Sequence, residues 1–191
     1  MTLSTLTQSR LFAVPLRASP AILCVLAFVV AMMVGVGASV RIPLPWTPVP
    51  ITLQTFVVFL GAALLGRHYA LQMVGWYVGL GILGMPLFSG GTSGWDVLVG
   101  ARGGYLIGFF VAATWIGYAQ TRVTNFWNQI ALFLSASVLL FACGAAWLGW
   151  SLHLNLQQTL MAGVWPFIPG DCAKILAAAS ILHGRKYFSK S

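Results

Sequence analysis

Asp171 and Lys174 are the two residues whose types and spacing are best suited to hold a polar ligand. The chain has only two acidic residues, Asp96 and Asp171, and Asp171 opens the last apolar stretch with Lys174 three positions on. Residues i and i+3 share one face of a helix, so the two groups can pair with each other or bind opposite ends of one polar group. In a membrane, ionisable side chains tend to mark a ligand or ion pathway. We therefore favour a binding site over a simple helix cap with an ion pair.

The composition indicates the membrane setting. Of the 191 residues, 59% are hydrophobic and 6% are charged, whereas soluble domains contain about 25% charged residues. The length allows about six spans of roughly 20 residues and leaves no room for a separate soluble domain. Because the sequence has no Gly-rich phosphate-binding loop followed by Lys, any use of ATP requires another chain.

We expect an all-α integral membrane protein with one domain and six transmembrane helices. The apolar stretches place the spans at about 20–39, 51–65, 69–83, 103–120, 126–148 and 171–183. Four prolines in the eight residues 43–50 rule out helix there and predict a stiff, extended connection that could cover a cavity. Pro169 and Gly170 predict an irregular approach to the last helix, with Asp171 as its cap.

The distribution of basic residues predicts the orientation. Six spans put both termini on one side, together with seven of the ten basic residues: Arg10, Arg17, Arg67, Arg122, Arg185, Lys186 and Lys190. The positive-inside rule makes that side cytoplasmic, so we expect a multi-pass membrane protein with both termini in the cytoplasm. The three exceptions are Arg41, Arg102 and Lys174. They share the outer side with Trp46, Gln54, Trp95, Asp96 and Asp171, which predicts a ligand site that opens outward.

Glycine and alanine mark two further features. Ala27, Ala31 and Gly35 recur at every fourth position of the first span, which forms a flat stripe where a helix of this chain or of a partner can approach closely. The glycine-rich, aromatic segment 84–96, which contains Gly91, is typical of a binding loop rather than a simple turn.

The remaining reactive residues do not assemble into a catalytic or metal site. The three histidines fall in different segments, and the three cysteines, an odd number, lack the spacing of a metal site or a disulfide framework. No triad or carboxylate pair can be built from them. We therefore predict no cofactor, no metal and no enzymatic activity, and the scattered basic residues argue against nucleic-acid binding.

Four stretches together resemble a known family, the biotin-binding BioY proteins, which are the S components of energy-coupling factor transporters. The matching stretches follow one another over most of the chain: Pro48-Val-Pro-Ile-Thr-Leu-Gln-Thr55, Leu80-Gly-Ile-Leu-Gly-Met-Pro-Leu-Phe88 with Gly90-Gly91, Gly103-Gly-Tyr-Leu-Ile-Gly-Phe109, and Pro166-Phe-Ile-Pro-Gly-Asp171 with Lys174. The resemblance implies an outward-facing biotin site in the loops and last helix. It also implies a transmembrane T subunit and ATP-binding subunits as partners, with the stripe of Ala27, Ala31 and Gly35 as the docking surface.

Biotin presents three chemical features to a site: a ureido group, an apolar bicyclic ring and a carboxylate tail. We expect Asp171 to accept a ureido N–H and Lys174 to donate to the ureido carbonyl, since charge-assisted hydrogen bonds are stronger than neutral ones. Arg102 or Arg41 would pair with the carboxylate. The remaining expected contacts are Gln54 and Gly91, with Trp46, Trp95 and Tyr105 as walls for the rings.

Three other interpretations are compatible with the sequence. The chain could act as a stand-alone transporter or bind another vitamin, such as riboflavin or thiamine. A small membrane enzyme could use Asp171 and Lys174 as acid and base, in which case purified protein would not retain unchanged biotin. A purely structural subunit would lose no ligand function when both residues are replaced by Ala.

Overall fold

The computed structural model describes residues 19–188, with side chains to residue 184, and is almost entirely helical. The termini beyond these residues, including Arg10, Arg17 and Lys190, and the side chains of Arg185 and Lys186 lie outside the described part. The elements are α1 (Pro20–Ser39), β1 (Arg41–Ile42), β2 (Ile51–Thr52), α2 (Gln54–Ile82), α3 (Trp95–Val99), α4 (Gly103–Ala119), α5 (Phe126–Ser151), α6 (Leu156–Gly163) and α7 (Ile168–Phe188), with 3₁₀ turns at Gln120–Arg122 and Trp165–Phe167.

Helix α2 is folded back on itself at Gly66. This residue has φ 75° and ψ 170°, which are not helical values and which glycine adopts without the steric cost of a Cβ. The side chains of Gln54 and Tyr77 are hydrogen-bonded at 2.5 Å, although 23 residues of continuous helix would separate them by about 35 Å. The first arm (residues 54–65) and the second arm (residues 67–82) therefore lie side by side, as expected from the break between the predicted spans 51–65 and 69–83.

Close packing of small residues holds the helices together. Helix α1 packs along α2, and α4 packs between α2 and α5. Ala27 and Ala31 are fully buried and Gly35 is buried within this chain, where a Cβ on Gly35 would lie 2.7 Å from Cδ2 of Leu87. In this structure the chain's own helix and loop cover the stripe, and its role as a partner-docking surface stays a prediction.

The apolar surface fits a membrane protein. Bulky apolar side chains remain exposed along α1, including Val25, Val29 and Val36. Three described helices are long and apolar enough to cross a membrane, namely Pro20–Ser39, Gln54–Ile82 and Phe126–Ser151. Helix α4 is shorter, with 17 residues, and α7 carries Asp171 and Lys174 in its first turns.

Several helix bounds differ from the sequence expectation. Residues 51–52 pair with residues 41–42 as a short antiparallel hairpin, so the helix predicted from 51 begins at Gln54. The last helix begins at Ile168 rather than at residue 171 and continues to Phe188. Pro169 stands in its first turn, where a missing backbone N–H costs nothing, and Asp171 is a helical residue rather than the cap.

The fold separates the loops into two ends. At one end lie the hairpin, the segment 84–100 and the start of α7; at the other, the fold at Gly66 meets the end of α4. A Cβ on Gly117 of α4 would lie 2.5 Å from the backbone nitrogen of Arg67. Phe126 and His183 rings, 5.6 Å apart, bring the end of α7 to the start of α5.

Replacing Gly117 by alanine is expected to destabilise the protein by about 1–3 kcal/mol, because the added methyl group meets rigid backbone rather than a flexible side chain. The melting temperature of detergent-purified protein, followed by intrinsic fluorescence, measures the effect. Gly75→Ala is the matched control, since a Cβ there meets nothing within 4 Å and alanine favours helix by up to about 1 kcal/mol. Equal melting temperatures for the two variants would contradict this account of helix packing.

Candidate functional site

A largely enclosed pocket lies at the loop end of the helix bundle. The side chains around it come from the hairpin, both arms of α2, the segment 84–100, α4, α5 and α7: Val49, Pro50, Thr52, Gln54, Thr55, Tyr77, Phe88, Ser89, Val97, Arg102, Tyr105, Leu106, Phe109, Leu140, Phe141, Phe167, Asp171 and Lys174. The proline-rich connection thus lies over a cavity, as its sequence predicts. The cavity volume is about 70 Å³, which is below the roughly 300 Å³ at which small-molecule sites begin.

Asp171 and Lys174 are the charged pair in the wall of this pocket. Asp171 is 3% exposed; its Oδ2 accepts a hydrogen bond from the Ser137 hydroxyl, and its Oδ1 lies 3.5 Å from Nζ of Lys174. Lys174 also donates to Oγ1 of Thr55 at 2.7 Å. The pair is thus held by α5 on one side and by the first arm of α2 on the other. A carboxylate and an ammonium fixed side by side present an acceptor and a donor to the same small polar group.

Aromatic rings form much of the remaining wall. Tyr77 contacts Phe88 and Phe109 edge to face, with ring centroids 5.5 and 6.4 Å apart, and Phe141 stacks on Phe167 at 6.1 Å. The Tyr105 hydroxyl donates to the Gly163 carbonyl at 2.6 Å, which ties α4 to α6. Rings held in this way form a preorganised apolar surface on which a flat ligand can pack.

Arg102 is the other charged residue in the pocket wall. It precedes α4, and its Nη1 donates to the Ser89 carbonyl at 2.8 Å. Partial burial lowers the pKa of the Arg102 guanidinium, but a guanidinium stays protonated at physiological pH. The charges lining the pocket, those of Asp171, Lys174 and Arg102, therefore sum to one positive charge, which favours an anionic ligand.

Ser89 carries a polar atom without a partner. Its hydroxyl is the one buried side-chain nitrogen or oxygen in the described part of the chain that makes no hydrogen bond, and Ser89 is only 7% exposed. The residue is held in a tight turn in which Phe88 pairs with Thr92 and Gly90 and Gly91 have φ of 90° and 68°. Since an unpaired buried hydroxyl is costly, its place in the pocket wall points to a hydrogen bond with a ligand.

The structure brings five of the nine expected site residues to this pocket: Asp171, Lys174, Arg102, Gln54 and Tyr105. The other four do not line it. Trp46 and Trp95 are 63% and 59% exposed, as is common for tryptophan at a membrane interface. Arg41 is exposed and covers Gly90, whose Cβ would lie 2.5 Å from Arg41 Nη1, while Gly91 shapes the turn through its backbone.

Sequence analysis missed Ser89, Ser137 and the phenylalanine walls. Ser137 had a detectable signal, because a hydroxyl in the middle of an apolar span often has a specific partner. The phenylalanines had none, since in a chain with this many apolar residues nothing in their spacing separates a pocket wall from the core. The exposed tryptophans were favoured for their size, but the ring-lined surface comes from side chains inside the helices.

Comparisons with known proteins agree with this architecture. A sequence model of the BioY family matches residues 9–190. The biotin transporter BioY of Thermotoga maritima is 38% identical over 149 residues, covering 78% of this chain and 86% of the relative. The biotin transporter BioY of Lactococcus lactis subsp. cremoris is 30% identical over 162 residues, covering 82% of this chain and 85% of the relative.

A solved structure has the same fold. It is the crystal structure at 2.1 Å of the S-component for biotin from an ECF-type ABC transporter, with a TM-score of 0.79 and 25% identity over 90% of this chain and 93% of that chain. The predicted all-α membrane fold and the resemblance noted in the sequence are both confirmed. Because the family model spans nearly the whole sequence, the chain belongs to the BioY family.

Proposed function

We propose that this chain is the biotin-binding subunit of a vitamin uptake transporter, which captures biotin outside the cell and delivers it inward with an ATP-driven partner complex. The observation that carries the proposal is the pocket itself, where a buried carboxylate–ammonium pair and a separate guanidinium lie in one apolar, ring-lined cavity. Relatives described as biotin transporters support the choice of ligand.

The Asp171–Lys174 pair suits the ureido group of biotin. That group is uncharged, with N–H donors beside a carbonyl acceptor, so one carboxylate oxygen and one ammonium can satisfy both. The pair is electrically neutral, and a neutral ligand group placed on it leaves no unpaired charge buried. Charge-assisted hydrogen bonds of this kind contribute more than neutral ones.

Arg102 suits the carboxylate of the biotin tail. It is the one cation among the pocket-lining residues that no lining acid neutralises, and a guanidinium binds carboxylates with well-defined geometry. Arg41 lies near Arg102, because the Arg41 guanidinium covers Gly90 while Arg102 donates to the carbonyl of the adjacent Ser89. Two cations around the opening would attract an anionic ligand during its approach, which gives Arg41 a steering role rather than a direct contact.

Entry of a two-ring ligand requires the cover of the pocket to move. The cavity of about 70 Å³ is too small for biotin, and we infer that the proline-rich connection, which contributes Val49 and Pro50 to the pocket lining, is the part that moves. The two ends of this segment are paired with each other through the strands Arg41–Ile42 and Ile51–Thr52, and Val49 and Leu44 pack against the hydrophobic core. The segment contains no helix, so release of Val49 and Leu44 from the core would open the pocket without unfolding a helix.

The partners and the orientation follow from the same proposal. Since the sequence has no ATP-binding loop, energy would come from a transmembrane T subunit and ATP-binding subunits of an energy-coupling factor complex. Arg67 and Arg122 lie at the end opposite the pocket, which supports cytoplasmic termini in a bacterial cytoplasmic membrane. Biotin uptake into cells that make this chain with and without the partner subunits separates the coupled transporter from a stand-alone one.

Asp171→Asn is expected to weaken biotin binding at least about tenfold, because the substitution keeps the size of the side chain but removes its charge from the ureido hydrogen bond. Isothermal titration calorimetry on purified protein measures the affinity. Asp96→Asn is the matched control, since Asp96 is the only other acid in the chain, is exposed and does not line the pocket.

Full biotin affinity in Asp171→Asn would end the ureido assignment. An equal loss in both variants would mean that overall charge, rather than the pair, determines the affinity. Competition by riboflavin or thiamine, with biotin inert, would reassign the ligand within the same pocket.

Ser89→Ala has opposite expected effects on the free and the ligand-bound protein. Without ligand, removing an unpaired buried hydroxyl leaves the melting temperature unchanged or raised. With ligand, loss of one neutral hydrogen bond weakens biotin binding by about twofold to tenfold. Ser93→Ala, in the same loop but outside the pocket lining, serves as the control, and unchanged biotin affinity in Ser89→Ala would exclude the Ser89 hydroxyl as a ligand contact.

A further inference from the structure

A second concave surface lies between α4 and α5, at the end of the bundle opposite the ligand pocket. We call it the α4–α5 groove. The volume of this open groove is about 560 Å³. It shares no residue with the ligand pocket, and its lining comprises Arg67, Phe110, Val111, Thr114, Trp115, Tyr118 and Leu139.

Polar atoms along the groove are paired within the protein, with one exception. The Thr114 hydroxyl donates to the Phe110 carbonyl at 2.7 Å, Trp115 Nε1 donates to the Ser135 hydroxyl at 2.8 Å, and the Tyr118 hydroxyl accepts from Arg122 at 2.9 Å. The exposed guanidinium of Arg67 has no hydrogen-bond or ion-pair partner among the residues that the structure describes. The groove thus combines an apolar floor with one free cation.

Arg67 lies at one end of the groove rather than at its middle. Gly117 packs on the backbone of Arg67, so Arg67 lies at the Tyr118 end of the groove. From Tyr118 to Phe110 the helix rises about 12 Å at 1.5 Å per residue, which carries the apolar part toward the middle of the bundle. Trp115 and Tyr118 occupy the zone between, where such side chains favour the membrane interface. A positive charge at the interface, followed by an apolar groove toward the middle of the bundle, matches the headgroup and acyl chain of a phospholipid.

The electrostatics favour an anionic headgroup. Both acids of the chain, Asp96 and Asp171, lie at the opposite end, so no acidic residue of this sequence can neutralise Arg67. Arg122 adds a second positive charge nearby, with its guanidinium 4.4 Å above the Tyr118 ring. Basic pockets between membrane helices are known to bind anionic lipid headgroups.

We propose that the α4–α5 groove is a binding site for an anionic phospholipid, with the phosphate on Arg67 and one acyl chain along Phe110, Val111 and Leu139. A soluble phosphate would satisfy Arg67 but leave the apolar channel uncovered, whereas a phospholipid satisfies both. The site is independent of the ligand pocket, so its test does not depend on the identity of the vitamin.

Native mass spectrometry of purified protein released from membranes with equal amounts of phosphatidylglycerol and phosphatidylcholine tests the proposal. The unmodified protein is expected to retain phosphatidylglycerol in excess. Arg67→Gln is expected to reduce that excess about fivefold, the effect of one basic residue near a lipid surface. Arg41→Gln is the matched control, since it removes the same charge from an exposed position at the pocket end, away from the groove, and should leave the excess unchanged.

Val111→Trp tests the channel separately from the charge. It is expected to reduce retention of both lipids, because the larger ring fills the space for the acyl chain, while a circular dichroism spectrum equal to that of the unmodified protein verifies the fold. Three results would each overturn the proposal: an unchanged phosphatidylglycerol excess in Arg67→Gln, an equal loss in Arg41→Gln, or the same thermal stabilisation by inorganic phosphate as by phosphatidylglycerol.

Discussion

The buried carboxylate of Asp171 is the group on which the rest of the site depends. Removing an ion from water costs several kcal/mol even after the protein relaxes, so a carboxylate that is 3% exposed needs partners on every side. Ser137 and Lys174 provide them, and Lys174 in turn binds Thr55. Through these contacts one charge fixes the relative positions of α7, α5 and the first arm of α2, which are the helices that enclose the pocket.

Backbone proximity makes this arrangement possible. The pair can meet Thr55 only if the first arm of α2 lies beside α7, and the reversal at Gly66 places it there. The reversal is held in turn by Gly117, whose missing Cβ lets α4 contact the backbone at Arg67. The position of the first arm of α2 beside the pocket therefore depends on Gly66 and Gly117 at the opposite end of the bundle. Both glycines can be recognised in the sequence.

The sequence predicts the class, the number of helical segments and the central pair because these depend on local signals. A chain with 6% charged residues has few places for chemistry, so Asp171 and Lys174 stand out, and proline or glycine marks several of the breaks between helices. Exact bounds were less accessible, since Pro169 fits a first helical turn as well as a break. The stripe at Ala27, Ala31 and Gly35 shows the limit most clearly: small residues predict close packing, but which helix packs there depends on distant residues such as Leu87.

The distribution of charge links the two ends of the molecule. With only two acids, the chain can neutralise few of its basic residues, and it places both acids at the pocket end. There Asp171 neutralises Lys174, which leaves Arg102 free for an anion among the described pocket residues. The opposite end has no acid at all, so Arg67 and Arg122 keep their full positive charge toward the membrane surface. Because acids are scarce, one end of the protein has a neutral Asp171–Lys174 pair beside Arg102, and the other end has only positive charges. Moving one acid from the first end to the second would leave Lys174 without its partner and would reduce the positive charge around Arg67 and Arg122.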